Sequence, residues 1–146
     1  MRLVLLLAGL ACAQLAQAQQ FPDPQRFESA IVEFERQDKV VRPPEGAIVL
    51  TGSSSIARWN NQAAAALAPL TVIPRGFGGS VMQDLLHYLD RVALAYKPRA
   101  ILIYEGDNDT GGNPPIPNDA ILDDLRQIIA SVHERLPNTR IYLLSI

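Results

Sequence analysis

Three short apolar runs in this 146-residue chain each end in a cluster of small polar residues. The runs span residues 47–51, 70–74 and 100–105, and they are apolar enough to be strands buried on both faces. Segments with helical periodicity separate them, which predicts parallel strands joined by crossover helices. The carboxyl ends of parallel strands meet at one edge of a sheet, where open α/β sheets bind their ligands. The sequence therefore predicts that the three clusters lie together.

The rest of the pattern indicates one α/β domain. Helices are expected around residues 27–34, over 56–67 and 80–96, and from residue 117 onward, and a fourth strand is expected from residue 141. This alternation predicts a three-layer α/β/α sandwich with a parallel, flavodoxin-like sheet. Residues 19–46 are expected to form an N-terminal leader and helix, and residues 47–146 the domain itself. Because the sequence stops at the fourth strand, the sheet is expected to be incomplete at its C-terminal side.

The first 18 residues have the pattern of a secretory signal peptide. Arg2 supplies a positive start, residues 3–13 form an apolar stretch too short to span a bilayer, and residues 16–18 offer an A-x-A cleavage site. Cleavage would remove Cys12, the only cysteine, so the mature chain would have no disulfide. A secreted or periplasmic location is therefore expected, with no stable membrane span after cleavage. An uncleaved membrane anchor is the alternative.

Composition argues against several classes of partner. Apolar residues make up 48% of the chain and charged residues 19%, with a net charge of -2, which suits a packed domain and gives no basic surface for nucleic acid. The glycines at 76, 78 and 79 do not complete a dinucleotide motif, since position 81 is valine, and no phosphate-binding G-x-x-x-x-G-K loop is present. No cofactor or metal is predicted.

The three clusters supply the parts of a nucleophile and an oxyanion hole. Ser54 follows the first strand, where a sharp turn can expose its hydroxyl near the unpaired first amides of a helix. Gly79 allows close backbone approach, and the Asn108 side chain can aim N–H groups at a developing negative charge. Taken singly, each has an ordinary alternative: capping serines, a glycine-rich turn and an Asx-turn. Their equivalent placement after successive strands favours catalysis.

The same residues resemble the motifs of the SGNH, or GDSL-type, hydrolases, a family of esterases and lipases. Residues 48–56 resemble the first block, whose usual Gly-Asp-Ser is altered here by Ser53, so that Ser54 takes the nucleophile position. Gly79 falls on the glycine of the second block, which donates an oxyanion-hole amide. Asn108 falls on the asparagine of the Gly-x-Asn-Asp third block, the other donor. The resemblance thus implies Ser54, Gly79 and Asn108 as the catalytic set.

The chain departs from this family pattern at the catalytic base. The resemblance implies a C-terminal Asp-x-x-His block, but residues 84–87 carry those letters within the helix after the second block. His87 would lie about 12 Å down that helix from the predicted edge, and it is expected to be a partly buried structural residue. His133 is expected at the opposite rim. The base is therefore expected beyond Ile146, and this chain alone is expected to be inactive.

Serine-dependent hydrolysis of carboxylic esters is therefore the predicted function. The substrate class is a small-molecule, carbohydrate or lipid acyl ester, and the sequence gives no oligomeric state. One alternative is a non-catalytic domain of the same fold that binds an acylated sugar or lipid. Another is a flavodoxin-like cofactor module, which the acidic residues Glu105 and Asp107 after the third strand disfavour for anionic ligands.

Overall fold

A parallel four-stranded sheet forms the centre of the molecule. The computed structural model describes residues 21–145, so the predicted signal peptide lies outside the described residues. The strands are β1 (Ile48–Gly52), β2 (Val72–Gly76), β3 (Ala100–Tyr104) and β4 (Arg140–Leu143). The helices are α1 (Glu28–Val40), α2 (Ser54–Trp59), α3 (Ala63–Ala66), α4 (Met82–Val92), α5 (Asp107–Gly111) and α6 (Asn118–Arg135).

The strand order creates a crevice at the edge where the predicted clusters lie. The order is β2-β1-β3-β4, with every neighbouring pair parallel. The chain runs outward from β1 to β2 and then returns past β1 to β3, so the direction of winding reverses between β1 and β3. Such a reversal is where doubly wound sheets bind ligands. Gly52 at the end of β1 is level with Gly76 of β2 and Tyr104 of β3, so the three strands end together.

Two hydrophobic cores, one on each face of the sheet, complete the three layers. Alternate residues of a strand point to opposite faces, and here Val49 faces one core while Leu50 faces the other. The larger core receives buried residues from α1, α4 and α6, including Ile31, Leu85 and Val132. The smaller one receives Ile56 of α2 and Ala63 of α3. The predicted α/β/α sandwich with a parallel, flavodoxin-like sheet is confirmed.

Some element boundaries differ from the sequence prediction. The second strand begins at Val72 rather than residue 70, because Leu70 is 49% exposed and lies outside the sheet. The helix predicted over residues 56–67 is interrupted between α2 and α3. Asn60 causes this break by pairing with the backbone of Gly76: its Nδ2 donates to the carbonyl oxygen at 2.8 Å, and its Oδ1 accepts from the N–H at 3.0 Å.

One further helix differs from its predicted bounds. The helix predicted over residues 80–96 is α4 followed by a separate 3-10 turn at Leu94–Tyr96. The Gly-Asp-Asn-Asp stretch, for which an Asx-turn was the ordinary alternative, forms the short helix α5, preceded by Gly106 at φ +114. Within residues 21–145, no helix combines the length and apolar character that crossing a bilayer requires.

Candidate active site

The first cluster places two serines differently at the end of β1. Gly52 has φ +129, and a Cβ there would lie 2.0 Å from the carbonyl oxygen of Tyr104, so glycine is required for β1 to end this close to β3. Ser53 follows and is fully buried, with its N–H donating to Tyr104 O at 2.9 Å. Ser54 is half-buried and is the first residue of α2. Of these two serines, only Ser54 is partly exposed to solvent.

The second cluster passes directly beside Ser54. A Cβ on Gly78 would lie 3.5 Å from Ser54 Cα and 3.7 Å from Ser54 Cβ, so the loop after β2 runs against the start of α2. Gly79 follows with φ +90 and is exposed. That backbone conformation is one that residues with a Cβ rarely adopt, which explains the glycine.

Asn108 connects the first and second clusters. It lies in α5, after β3, and its Nδ2 donates to Ser53 Oγ at 2.5 Å and to the carbonyl oxygen of Ser80 at 2.8 Å. The Ser80 carbonyl can only accept a hydrogen, so the amide nitrogen must face it. Asn108 therefore joins the residue before Ser54 to the residue after Gly79, and the segments that follow three strands meet at one place.

Asn108 contacts the chain neighbours of Ser54 and Gly79 rather than Ser54 and Gly79 themselves. Within residues 21–145, no hydrogen bond joins Ser54, Gly79 and Asn108 to one another. Both hydrogens of the Asn108 amide already have acceptors. An oxyanion would have to share one of them with Ser53 Oγ, whose hydroxyl is a weaker acceptor than the Ser80 carbonyl.

Sequence reasoning missed a buried carboxyl beneath this arrangement. Glu105 is 4% exposed, and its Oε1 accepts a hydrogen bond from Ser80 Oγ at 2.5 Å. Burial, reinforced by the nearby carboxylates of Asp109 and Asp107, raises the pKa of Glu105 to about 8. The signal available in the sequence was an acid placed directly after a buried strand.

Two more buried carboxyls hold the start of α4. Asp109 accepts from the Met82 N–H at 3.0 Å and 3.2 Å, and Asp84 accepts from the Val81 N–H at 2.9 Å. Asp84 also pairs with Arg26. Burial raises the pKa of both Asp84 and Asp109. In the part of the chain that the structure describes, no group of His, Cys, Asp and Glu residues has an arrangement that could hold a metal ion.

Neither histidine reaches the candidate site. His87 is exposed on α4, with its ring centroid 4.6 Å from that of Tyr88, so the expectation of a partly buried residue was wrong. The reason is its position on the helix: Leu85 and Leu89 face the core, and His87 lies on the solvent side between them. His133 is exposed in the last turn of α6, which runs away from the edge that carries Ser54.

Comparison with protein families gives a match over most of the chain. The model of the GDSL-like Lipase/Acylhydrolase family matches residues 43–146, which include β1 to β4 and all three clusters. A search of curated proteins gives no match.

Solved structures with the same fold include proteins with esterase and lipase names. A protein from Streptococcus pneumonia, provisionally described as a platelet activating factor, is 28% identical with a TM-score of 0.70, over 84% of this chain and 55% of that one. A GDSL-like lipase from Bacteroides thetaiotaomicron is 16% identical with a TM-score of 0.63, and the match covers 83% of this chain and 57% of the lipase. This chain therefore spans little more than half the length of these proteins.

A third similar protein is an acetylxylan esterase from Geobacillus stearothermophilus. One of its structures is 15% identical to this chain with a TM-score of 0.51, over 68% of this chain and 59% of that one. That structure is of a catalytic mutant at an aspartate, and a second structure of the same esterase is of a catalytic mutant at a histidine three positions later. At this identity, the likeness shows a shared fold.

Proposed function

The chain belongs to the GDSL-like lipase/acylhydrolase family, and from this premise we propose that the protein hydrolyses carboxylic esters with Ser54 as the nucleophile. The observation that carries the proposal is the Asn108 side chain, which bridges Ser53 and Ser80. This bridge holds the start of α2, which carries Ser54, next to the loop that carries Gly79. The partial exposure of Ser54, beside a fully buried Ser53, supports Ser54 as the attacking residue.

The oxyanion would be held by three donors. The backbone N–H of Ser54 is at the start of α2, where the first amides have no intrahelical partner. The N–H of Gly79 lies on the exposed loop beside Ser54, and the Asn108 Nδ2 provides a side-chain donor. Each such donor typically contributes a factor of about 100 or more to the rate, because negative charge develops on the carbonyl oxygen only in the transition state.

The catalytic base would come from sequence that follows Ile146. Ser54 needs a base to accept its proton at neutral pH. His87 and His133 both lie away from the candidate site. The match covers only 55% of the Streptococcus protein and 59% of the acetylxylan esterase, so both have sequence beyond it. Two structures of that esterase carry catalytic mutations, one at an aspartate and one at a histidine, in Asp-x-x-His spacing. We therefore assign the base to such a block in the full-length protein.

The reaction would follow two displacement steps. Ser54 Oγ attacks the ester carbonyl carbon as the base takes its proton, and the carbonyl oxygen becomes the oxyanion. The carbon–alkoxy bond then breaks, the alcohol leaves with the proton held by the base, and an acyl group remains on Ser54. Water attacks this acyl group with the help of the same base, which releases the carboxylic acid and restores the serine.

Substrate and location are further parts of the proposal. Two of the similar proteins are named a lipase and an acetylxylan esterase, which fits an acyl ester of a lipid, a carbohydrate or a small alcohol. The signal-peptide pattern of the first 18 residues supports export, to the periplasm or the medium.

The test compares Ser54→Ala with a neighbouring control in the full-length protein that contains this chain. We expect the wild type to hydrolyse p-nitrophenyl acetate and Ser54→Ala to lose activity by about 1,000-fold or more, because the nucleophile is removed. Ser55→Ala is the matched control, since Ser55 is also half-buried in α2, and it should stay within about threefold of wild type. A fluorophosphonate probe should label Ser54, as located by peptide mass spectrometry.

Two outcomes would contradict the proposal. Labelling of Ser53 or Ser55 instead of Ser54 would assign the nucleophile elsewhere. A wild-type protein that binds an acylated sugar or lipid without turnover and without labelling would be the non-catalytic binding domain of the same fold.

A further inference from the structure

Glu105 is a buried acid that the proposed mechanism does not use. It follows the last residue of β3 and is 4% exposed. Its Oε1 accepts the hydrogen of Ser80 Oγ at 2.5 Å, while its Oε2 is buried and has no hydrogen-bond partner among residues 21–145. Burying a carboxyl with only one hydrogen bond reduces the free energy of unfolding, so the presence of Glu105 here calls for an explanation.

The single partner of Glu105 lies at the centre of the candidate site. Ser80 is fully buried, follows Gly79 in the chain, and accepts the Asn108 Nδ2 hydrogen through its carbonyl oxygen at 2.8 Å. Fixing Ser80 therefore fixes two candidate oxyanion donors at once. One is the Gly79 N–H, which lies one residue away, and the other is the Asn108 amide, whose orientation depends on the Ser80 carbonyl.

The charges around Glu105 favour its neutral form. Asp84 faces it from α4, and Asp107 and Asp109 face it from α5. The cation in this region is Arg26, from the segment before α1, and it is paired with Asp84. An ionised Glu105 would meet three acids and leave Oε2 as an unpaired buried anion. A neutral carboxyl needs no cation and still accepts the Ser80 hydrogen through Oε1.

We propose that Glu105 is a positioning residue for ester hydrolysis, which holds Gly79 and Asn108 in oxyanion-binding geometry through Ser80 as long as its carboxyl is protonated. This inference rests on the proposed function of the site. Loss of the proton would strengthen the Ser80 hydrogen bond itself, but it would also leave Oε2 as a buried anion without a partner near three other acids. Glu105 would move to relieve that charge, and Ser80 would move with it. Glu105 acts through Ser80 and does not itself contact the reacting atoms.

The first test is the pH dependence of kcat in the full-length protein. We expect wild-type kcat to fall as the pH rises through about 8, following the pKa that burial and the neighbouring acids give Glu105. Glu105→Ala should lower kcat about tenfold at pH 7 with KM within twofold, since a buried hydrogen bond that orients the donors is lost. Glu105→Gln keeps an acceptor for Ser80, so it should recover most of that loss and show no fall above pH 8.

A control and a second measurement keep the inference separate from the proposed function. Glu134→Gln makes the same chemical change at an exposed site on α6 and should leave the alkaline fall unchanged. The side-chain amide resonances of Asn108 in ¹⁵N NMR spectra should shift with a midpoint near pH 8 in wild type and should not do so in Glu105→Gln.

The two measurements distinguish a wrong role for Glu105 from a wrong proposed function. An alkaline fall of the same size in Glu105→Gln and wild type would overturn the role of Glu105 while the esterase assignment stands. Asn108 resonances that do not respond to pH would also overturn it, with or without activity. A wild-type protein without ester hydrolysis would instead overturn the proposed function.

Discussion

Ser53 occupies the position at which the family motif carries an aspartate, and its hydroxyl accepts a hydrogen from Asn108 at 2.5 Å. That contact fixes one N–H of the amide while the Ser80 carbonyl fixes the other. The serine is fully buried, so we expect it to orient Asn108 rather than to react. We therefore expect the site to need a short polar side chain here.

Ser53→Ala should lower kcat about three- to tenfold, because a hydrogen bond that orients the amide is worth roughly 1 kcal/mol. Ser53→Asp restores an acceptor at the same place and should have a higher kcat than Ser53→Ala. Steady-state kinetics of the full-length protein, with kcat and KM determined separately, provide the measurement. Equal kcat for Ser53→Ala and wild type would mean that Ser80 alone orients Asn108.

The sequence indicates which residues are candidates for the site more readily than it indicates the contacts between them. Ser54, Gly79 and Asn108 could be proposed because each follows a recognisable strand and has a distinctive side chain or backbone freedom. The contacts of Asn108 with Ser53 and Ser80 join residues 55 and 28 positions apart. No local pattern encodes such a separation. The catalytic roles of the three residues stay predictions.

Helices and strands that the local sequence determines were predicted, and a helix break that a tertiary contact causes was not. Continuous apolar runs predicted the four strands, and helical periodicity predicted α1, α4 and α6. The break between α2 and α3 was not predictable, because Asn60 ends the helix by pairing with Gly76 on a neighbouring strand. Helix propensity alone favours an unbroken helix through the four alanines at 63–66.

Helix α1 is attached to the sheet beside the second cluster through an aromatic contact. The Phe27 ring, immediately before α1, meets the Phe77 ring edge-on with centroids 5.2 Å apart. Phe77 is 2% exposed and lies between Gly76 and Gly78. The packing of α1 and the position of the loop after β2 are therefore linked.

Phe27→Ala should reduce the free energy of unfolding by about 2 kcal/mol, through lost apolar burial and the lost ring contact. Urea denaturation followed by circular dichroism gives the value. Val40→Ala is the control, since Val40 is in α1 but 75% exposed, and it should change stability by less than about 0.5 kcal/mol. A loss as small for Phe27→Ala as for Val40→Ala would show that the ring contact does not stabilise the molecule.

The whole molecule carries a group of buried acids on one side of the sheet edge, and this gives its stability a characteristic pH dependence. Burial raises the pKa of Glu105 from 4.5 to about 8 and raises those of Asp84 and Asp109. When a folded pKa is raised, the stabilisation is complete below the unfolded pKa and is lost as the pH rises through the folded one. The molecule should therefore be more stable at pH 5 than at pH 8.

Urea unfolding of the wild type at pH 5 and pH 8 measures this difference. One pKa unit corresponds to about 1.4 kcal/mol, so Glu105 alone should contribute a few kcal/mol. Glu105→Gln should reduce the difference markedly, and Glu134→Gln should not. A difference that is unchanged in Glu105→Gln would mean that Glu105 titrates alike in the folded and unfolded chains.

The architecture of the whole molecule was the most predictable part. Buried strands alternating with helices leave few arrangements once crossovers are right-handed, and the β2-β1-β3-β4 order is the flavodoxin-like one. The acid cluster as a group was not predictable, because Asp84, Glu105 and Asp109 belong to residue types that usually lie at the surface. Only Glu105 carried a signal, its place directly after a buried strand.

The ion pair of Arg26 with Asp84, together with the ring contact of Phe27, sets a practical limit on where this domain can be cut. The family match begins at residue 43, but a chain that began there would lack Arg26. The buried Asp84 would then lose its ion-pair partner. Such a chain would also lack Phe27, whose ring packs against Phe77. Anyone shortening this domain for crystallisation or engineering should therefore begin no later than Asp23, which caps the turn that carries both residues.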